Sequence, residues 1–322
     1  MSLKTSLKGS RNDKIRDNRE YGMKKDFLTL MDLSSEELTT LLDRAAGLKS
    51  GRDSSACPLI GKSIGLLFDK TSTRTRISFQ TGIYQLGAQA IYINTKDMQL
   101  GRGETIEDTA RVLARYLHGI VIRTYAHSTI EKLAENAGIP VINGLTDVHH
   151  PCQALADMLT VKEKKGRLKD IRMAYIGDGN NVANSLIEAA QLTGMDLVIA
   201  CPQGYEPDRK IYEKAQSEGA RVKVMTSPEE AAREADVLYT DTWISMGQER
   251  EVERRKKTFK AYQINSHLLS LAKPDAIVMH CLPAHRGEEI TDEVIDSPQS
   301  VVIDQAENRL HTQKALLEML IK

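Results

Sequence analysis

Ser63-Ile64-Gly65-Leu66-Leu67-Phe68, followed at once by Asp69-Lys70-Thr71-Ser72-Thr73-Arg74-Thr75-Arg76, decides how this chain folds. A strand-like apolar run gives way to a hydroxyl-rich turn and then to Ile77, Ile83, Tyr84 and Leu86 on a helical stretch closed by Gly87. Strand, short turn and helix together form the repeating half of a parallel α/β layer. The unit recurs downstream, with strand-like runs from Ala90 (AIYI), Gly119 (GIVIRTY) and Pro140 (PVIN) and helical stretches between them. Upstream, Ser34 offers an N-cap with Glu37 as its capping-box partner, and Leu38, Leu41, Leu42 and Ala45 follow at helical spacing.

After a charged, breaker-containing stretch at 161–170 the alternation restarts. IRMAYIG runs from Ile171, DLVIACP from Asp196, RVKVM from Arg221, DVLYTDTW from Asp236 and AIVMHCLP from Ala276. The restart predicts a second α/β domain, and 322 residues leave room for about two. PCQALADMLTVKEKKG, with Pro151 at the favoured first helical position, joins the halves, and TQKALLEMLIK predicts a final helix. The expected fold class is α/β with doubly wound parallel sheets. Its divisions are 1–22 as an N-terminal extension, domains at 23–160 and 161–305, and 306–322 as a C-terminal helix returning to the first domain.

Lys+Arg and Asp+Glu are 44 each, so no global field draws the chain to nucleic acid or anionic lipid, and any anion site is local. The longest apolar runs fall far short of the ~20 residues that span a bilayer, so no membrane association is expected. Cys57, Cys152, Cys201 and Cys281 lie far apart without a C-x-x-C pair, which reads as a reducing, cytoplasmic compartment. The polar leader carries Asp13, Asp17 and Glu20 and no apolar stripe, unlike a transit peptide.

In open parallel sheets ligands bind beyond the carboxyl ends of strands, so the residues just after each strand carry the functional reading. Ser72 to Thr75 stand at a helix N-terminus, where free N–H groups, the positive dipole end, hydroxyls and the planar fork of Arg74 suit a dianionic phosphoryl group. A plain Ser/Thr cap beside solvated arginines is the bland alternative. Five consecutive hydroxyl or guanidinium side chains exceed what a cap needs. The glycine pattern of a nucleoside triphosphate loop is absent, which favours a smaller phosphate ester or anhydride. Arg123 in VIRTY adds a donor, and His150 precedes the first-turn Pro151 with Gln153 in the same turn. A loop histidine taken singly is most often a satisfied surface or core residue; only the convergence carries weight.

In the second half, IRMAYIG leads into Asp178-Gly179-Asn180-Asn181-Val182-Ala183. Gly177 and Gly179 resemble a dinucleotide fingerprint. Val182 fills the place of its third glycine, however, and the next strand ends in Cys201-Pro202 with no acid for a ribose, so NAD is disfavoured and no cofactor is expected. Asn181 reads as a polar contact for a small ligand, and Asp241 as a loop carboxylate suited to an ammonium. Cys281 is a thiolate if a cation lies close, or a small buried apolar residue. His280, Cys281 and His285 invite a metal, but adjacent ligands do not readily close one tetrahedron, and none is expected.

In this order, STRTR, HPCQ, GDGNN, DTWISMG, HCLP and AENR resemble the motif set of the aspartate/ornithine carbamoyltransferase family, and within it the members acting on ornithine. The resemblance runs from about Met23 onward. It implies two doubly wound domains with the active site in the cleft between them, 23–160 binding carbamoyl phosphate and 161–305 binding ornithine. It also implies a homotrimeric catalytic unit, no cofactor or metal, and a place in arginine biosynthesis or, since the chemistry is reversible with the same residues, in arginine breakdown. Carried over by position, it assigns the phosphate to Ser72, Thr73, Arg74, Thr75 and Arg123, and the carbamoyl oxygen to Thr75, Arg123 and His150. The carbamoyl NH₂ falls to Gln153 and the Leu282 carbonyl, and Arg309 is the last contact. Gln99 reaches the neighbouring subunit's site. Asn181, Asp241, Ser245 and Met246 contact ornithine, with Asp241 on its α-ammonium and Cys281 beside the δ-amine. Arg123, His150, Asp241 and Cys281 thus have implied catalytic roles.

Three alternatives stand beside this one. The first is a sister carbamoyltransferase for aspartate, putrescine or an N-acylated ornithine, against which Asp241 and Ser245-Met246-Gly247 favour free ornithine. The others are a nicotinamide dehydrogenase and a non-catalytic paralogue. The leader and the Ala284 to Glu288 segment depart from the family pattern.

Overall fold

The computed structural model describes residues 25–51, 57–94, 103–244 and 251–321. Helix α1 (Ser35–Lys49) starts at the Ser34 capping box, whose hydroxyl accepts from Glu37 N–H. Strand β1 (Ser63–Phe68) is buried along almost its whole length, as an unbroken apolar run in a parallel sheet requires. Helix α2 (Thr73–Gln85), strand β2 (Gln89–Asn94), helix α3 (Ile106–Leu113), strand β3 (Gly119–Arg123), helix α4 (His127–Ala137) and strand β4 (Val141–Leu145) follow. The four strands form a parallel sheet in the order β2-β1-β3-β4.

Helix α5 (Pro151–Lys165) has His150 as its N-cap and Pro151 in its first turn, and ends at Gly166, whose left-handed φ of 73° favours glycine. Beyond it come β5 (Arg172–Ile176), α6 (Asn181–Thr193), β6 (Asp196–Ala200), α7 (Arg209–Ser217), β7 (Val222–Met225), α8 (Pro228–Ala232) and β8 (Val237–Thr240). The chain continues through α9 (Val252–Phe259), α10 (Ser266–Leu271), β9 (Ile277–His280), α11 (Asp292–Ile295) and α12 (Val302–Leu320). The second sheet is also parallel, in the order β7-β6-β5-β8-β9. Each sheet begins at a central strand and winds outward both ways, so β1/β3 and β5/β8 are its switch points.

One apolar cluster runs through both halves, joining Phe68, Val121, Leu155, Tyr175, Tyr239 and Leu316. Smaller clusters back the outer faces, around Leu67 and Ile120 in the first sheet and Leu238 and Phe259 in the second. Helix α12 packs on α5, α1 and α2 of the first half and reaches β9 of the second. It begins at Val302, earlier than the 306 boundary and well before TQKALLEMLIK, so Arg309 lies inside a helix. No breaker interrupts 302–311, and helix-forming Gln305, Ala306, Glu307 and Leu310 extend it toward β9. The 1–22 leader lies outside the described residues. Among those described, no helix is long and apolar enough to cross a membrane.

Candidate active site

The carboxyl ends of β1, β3, β5, β8 and β9 open on one cleft of about 1120 Å³. Ser72, Thr73, Arg74, Arg123, His150 and Arg309 line one wall. Ser72 is the N-cap of α2, and its hydroxyl accepts from Thr75 N–H at 3.3 Å. Arg123 ends β3 and is 8 % exposed; Arg309, on α12, is 3 % exposed. Burial first, then Arg309 and Arg74, push Arg123 down to about 9, which leaves it charged at neutral pH. Burial and the charges of Arg309, Arg123 and Lys70 hold the His150 imidazole well below its usual range, so the ring is neutral. Arg123 Nε, Arg309 Nε and His150 Nδ1 are buried without a partner among the described residues. Cations packed together at this depth repel one another, and a multiply charged anion relieves the repulsion.

Thr75 and Gln153 stand one layer behind the open space, where Arg309 engages both. Neither lines the cleft; both are buried behind Arg309. Arg309 Nη2 donates to Thr75 Oγ1 at 2.8 Å and Nη1 to Gln153 Oε1 at 2.7 Å. Thr75 turns into the core, and the Gln153 amide donates inward to Asp157 at 2.9 Å. The two residues fix the guanidinium rather than facing the open space. Lys70, which sequence reasoning passed over, also lines the cleft, paired with Asp147 and 4.3 Å from the centre of the Tyr125 ring. Its position in the turn after β1 was the available signal.

The opposite wall is built differently. Asp241, just after β8, accepts from Thr242 N–H at 2.7 Å, from the Asn180 amide at 2.7 Å and from Cys281 Sγ at 2.8 Å. Burial first, then Asp241, push the Cys281 thiol well above its usual range, so the thiolate considered from sequence is replaced by a protonated donor. Asn181 lines the cleft while its amide donates to Thr146 O at 2.5 Å. Leu282 lines it too, at a left-handed φ of 56°; its N–H donates to His280 Nδ1 at 2.9 Å. The other His280 nitrogen faces Glu289 at 3.0 Å, so both ring nitrogens are engaged even though Asp241, His280 and Cys281 bring ligand atoms within 4.8 Å of one another.

Gly179 answers to packing. A Cβ there would lie 2.3 Å from Pro207 N and 2.5 Å from Tyr205 O. Arg255, unmarked in sequence, is buried against Asp178 and donates from Nε to Trp243 O, anchoring the start of the Asp241 loop. Gln99, Ser245 and Met246 lie outside the described residues.

Comparison with known proteins bears on this geometry. Residues 25–163 match the carbamoyl-phosphate-binding domain of aspartate/ornithine carbamoyltransferases, and residues 169–320 match their aspartate/ornithine-binding domain. An ornithine carbamoyltransferase of Syntrophus aciditrophicus is 55% identical over 302 residues, 93% of this chain and 100% of that protein. One from Oceanobacillus iheyensis is 54% identical over 303 residues, 92% of this chain and 94% of its own. The solved ornithine carbamoyltransferase of Pyrococcus furiosus superposes with a TM-score of 0.89 at 51% identity, over 92% of this chain and 97% of that one.

Proposed function

Because the chain belongs to the aspartate/ornithine carbamoyltransferase family, we propose that it transfers the carbamoyl group of carbamoyl phosphate to the δ-amine of L-ornithine, giving L-citrulline and phosphate. The single observation that carries the reading is one cleft with opposed walls: Arg74, Arg123 and Arg309 on one side, Asp241 on the other. That arrangement matches a phosphorylated electrophile meeting a diamino acid.

Ser72, Thr73, Arg74 and Arg123 hold the phosphate, with Arg309 fixed by Thr75 and Gln153. Asp241 takes the α-ammonium, with Asn181, Ser245 and Met246 completing the amino-acid contacts. An amine of this kind has a pKa near about 10, so it sheds a proton before attack. Its lone pair then forms the C–N bond at the carbamoyl carbon. Arg123 and the neutral His150 stabilise the oxyanion, the Leu282 carbonyl accepts from the carbamoyl NH₂, and the C–O bond to phosphate breaks as phosphate departs with the amine proton. Cys281, a protonated donor bound to Asp241, lies beside the δ-amine and keeps that carboxylate oriented toward the α-ammonium. The protein's part is orientation and fixed charge.

The finer reading adds a homotrimer, with Gln99 completing a neighbouring site, and a cytoplasmic location, which four unpaired cysteines support. The test is citrulline formation from carbamoyl phosphate with ornithine, and carbamoylation of aspartate, putrescine and N-acetylornithine in parallel. We expect kcat/KM for ornithine to exceed the others by about 100-fold or more, the scale on which unpaired buried polar groups discriminate. Preference for putrescine or the acylated amine would replace ornithine as the acceptor.

A further inference from the structure

Asp157 lies in α5 with no exposed surface and no part in the cleft wall. Its Oδ1 accepts from Gln153 Nε2 at 2.9 Å and Gln305 Nε2 at 2.7 Å, and its Oδ2 accepts from the Tyr239 hydroxyl at 3.0 Å. Gln305 Oε1 in turn accepts His280 N–H at 2.9 Å. These partners come from separate elements, and each stands beside a residue of the cleft. Gln153 grips Arg309; Gln305 precedes Arg309 by one turn of α12; Tyr239 precedes Asp241 on β8; His280 precedes Cys281 at the end of β9. The carboxyl therefore joins the anion wall to two strand ends of the amine wall.

A core position that only needed filling is better served by an apolar side chain, since burying a carboxyl against neutral partners is costly. Met158 and Leu159 beside it are both apolar and fully buried. Burial pushes Asp157 up to about 7, against three donors that each favour the ionised form.

We propose that Asp157 is a positioning residue for the transfer step, setting the register of the Gln153–Arg309 pair against the ends of β8 and β9. The proposal deepens the functional reading above and rests on it. Its signature is a selective loss. Among the described residues, Ser72, Thr73, Arg74 and Arg123 make no hydrogen bond to Asp157 or Gln305 and keep their hold on phosphate when Arg309 shifts, whereas transfer needs both walls aligned, and misplacement by about 1 Å costs on the order of 100-fold.

The experiment uses the full chain, with Asp157→Asn and the milder Tyr239→Phe beside the wild type. It measures kcat, binding of inorganic phosphate by calorimetry, and binding of δ-N-phosphonoacetyl-ornithine, which spans both walls. We expect kcat and affinity for the spanning analogue to fall together, by about 30-fold or more in Asp157→Asn and about 3-fold or more in Tyr239→Phe, with phosphate affinity held within about 3-fold. Wild-type kcat in the variants, or phosphate affinity falling as steeply as kcat, overturns the proposal. Should Asp157→Asn fail to fold, Tyr239→Phe decides it by the same criteria. A wild type that makes no citrulline sinks the functional reading instead, whereas an active wild type with unaffected variants sinks only this inference.

Discussion

The turn from β1 into α2 and the turn from β5 into α6 occupy the same place in their sheets, each at a switch point, yet they present opposite chemistry. At the first, Ser72 caps only Thr75 N–H, no glycine intervenes from Asp69 to Thr75, and Thr73 and Arg74 face the cleft. At the second, Asn180 Oδ1 accepts from both Val182 and Ala183 N–H, its amide holds Asp241, and Asp178 lies alongside. One helix start offers its dipole to an anion; the other satisfies its own donors and sits among carboxylates. Equivalent topology therefore fixes where a ligand binds, while the few residues after each strand fix its charge.

The strongest way to break this contrast is at Arg123. Arg123→Ala removes the proposed oxyanion donor from the cationic wall, and kcat/KM for citrulline formation should fall about 1000-fold. Because the guanidinium is buried beside like charge, the melting temperature should not drop, as a thermal scan of the same preparation will tell. A variant that keeps most of its turnover removes Arg123 from the chemistry.

Asp241→Asn tests the other wall. Loss of the carboxylate should raise KM for ornithine by about 30- to 100-fold, the scale of an unpaired charge contact, with KM for carbamoyl phosphate within about 3-fold. Steady-state kinetics with each substrate varied in turn distinguishes this from general damage, which would raise both.

The smallest effect sharpens the contrast at the thiol between the walls. Burial and Asp241 keep Cys281 protonated, so maleimide labelling at that residue should stay slow at pH 8 and quicken only as pH rises above the usual thiol range. In Asp241→Asn the charge that raises the thiol pKa is gone, and labelling at pH 8 should speed up about tenfold for each unit by which the pKa falls. Peptide mapping separates Cys281 from the exposed Cys57. Faster labelling in the wild type than in the variant would mean that a thiolate faces the cations after all.

Much of this was readable in the residues themselves. The strands announce themselves as short apolar runs between breakers, and the strand-end rule leads directly to Ser72, Arg123 and Asp241 without any contact map. What stayed hidden depends on partners distant in sequence. Asp157 meets Gln305 148 positions away, and Arg255 meets Asp178 77 positions away. Nothing local marks either residue, since both sit in ordinary helical pattern. The bonds from Arg309 to Thr75 and Gln153 were hidden for a related reason, since Arg309 arrives on α12 from 234 and 156 positions away. The Gly177 and Gly179 pair shows how a motif fragment misleads, because backbone contact with residues 205–207 requires Gly179 to lack a side chain.

Helix α12 has a further consequence for biosynthesis. Domains generally fold in the order in which they emerge from the ribosome. The first sheet, with Ser72 and Arg123 in place, can therefore assemble while the second is still being translated, yet Arg309 emerges only after β9. A nascent chain thus carries the first cationic wall without Arg309 until the opposing wall has also been made.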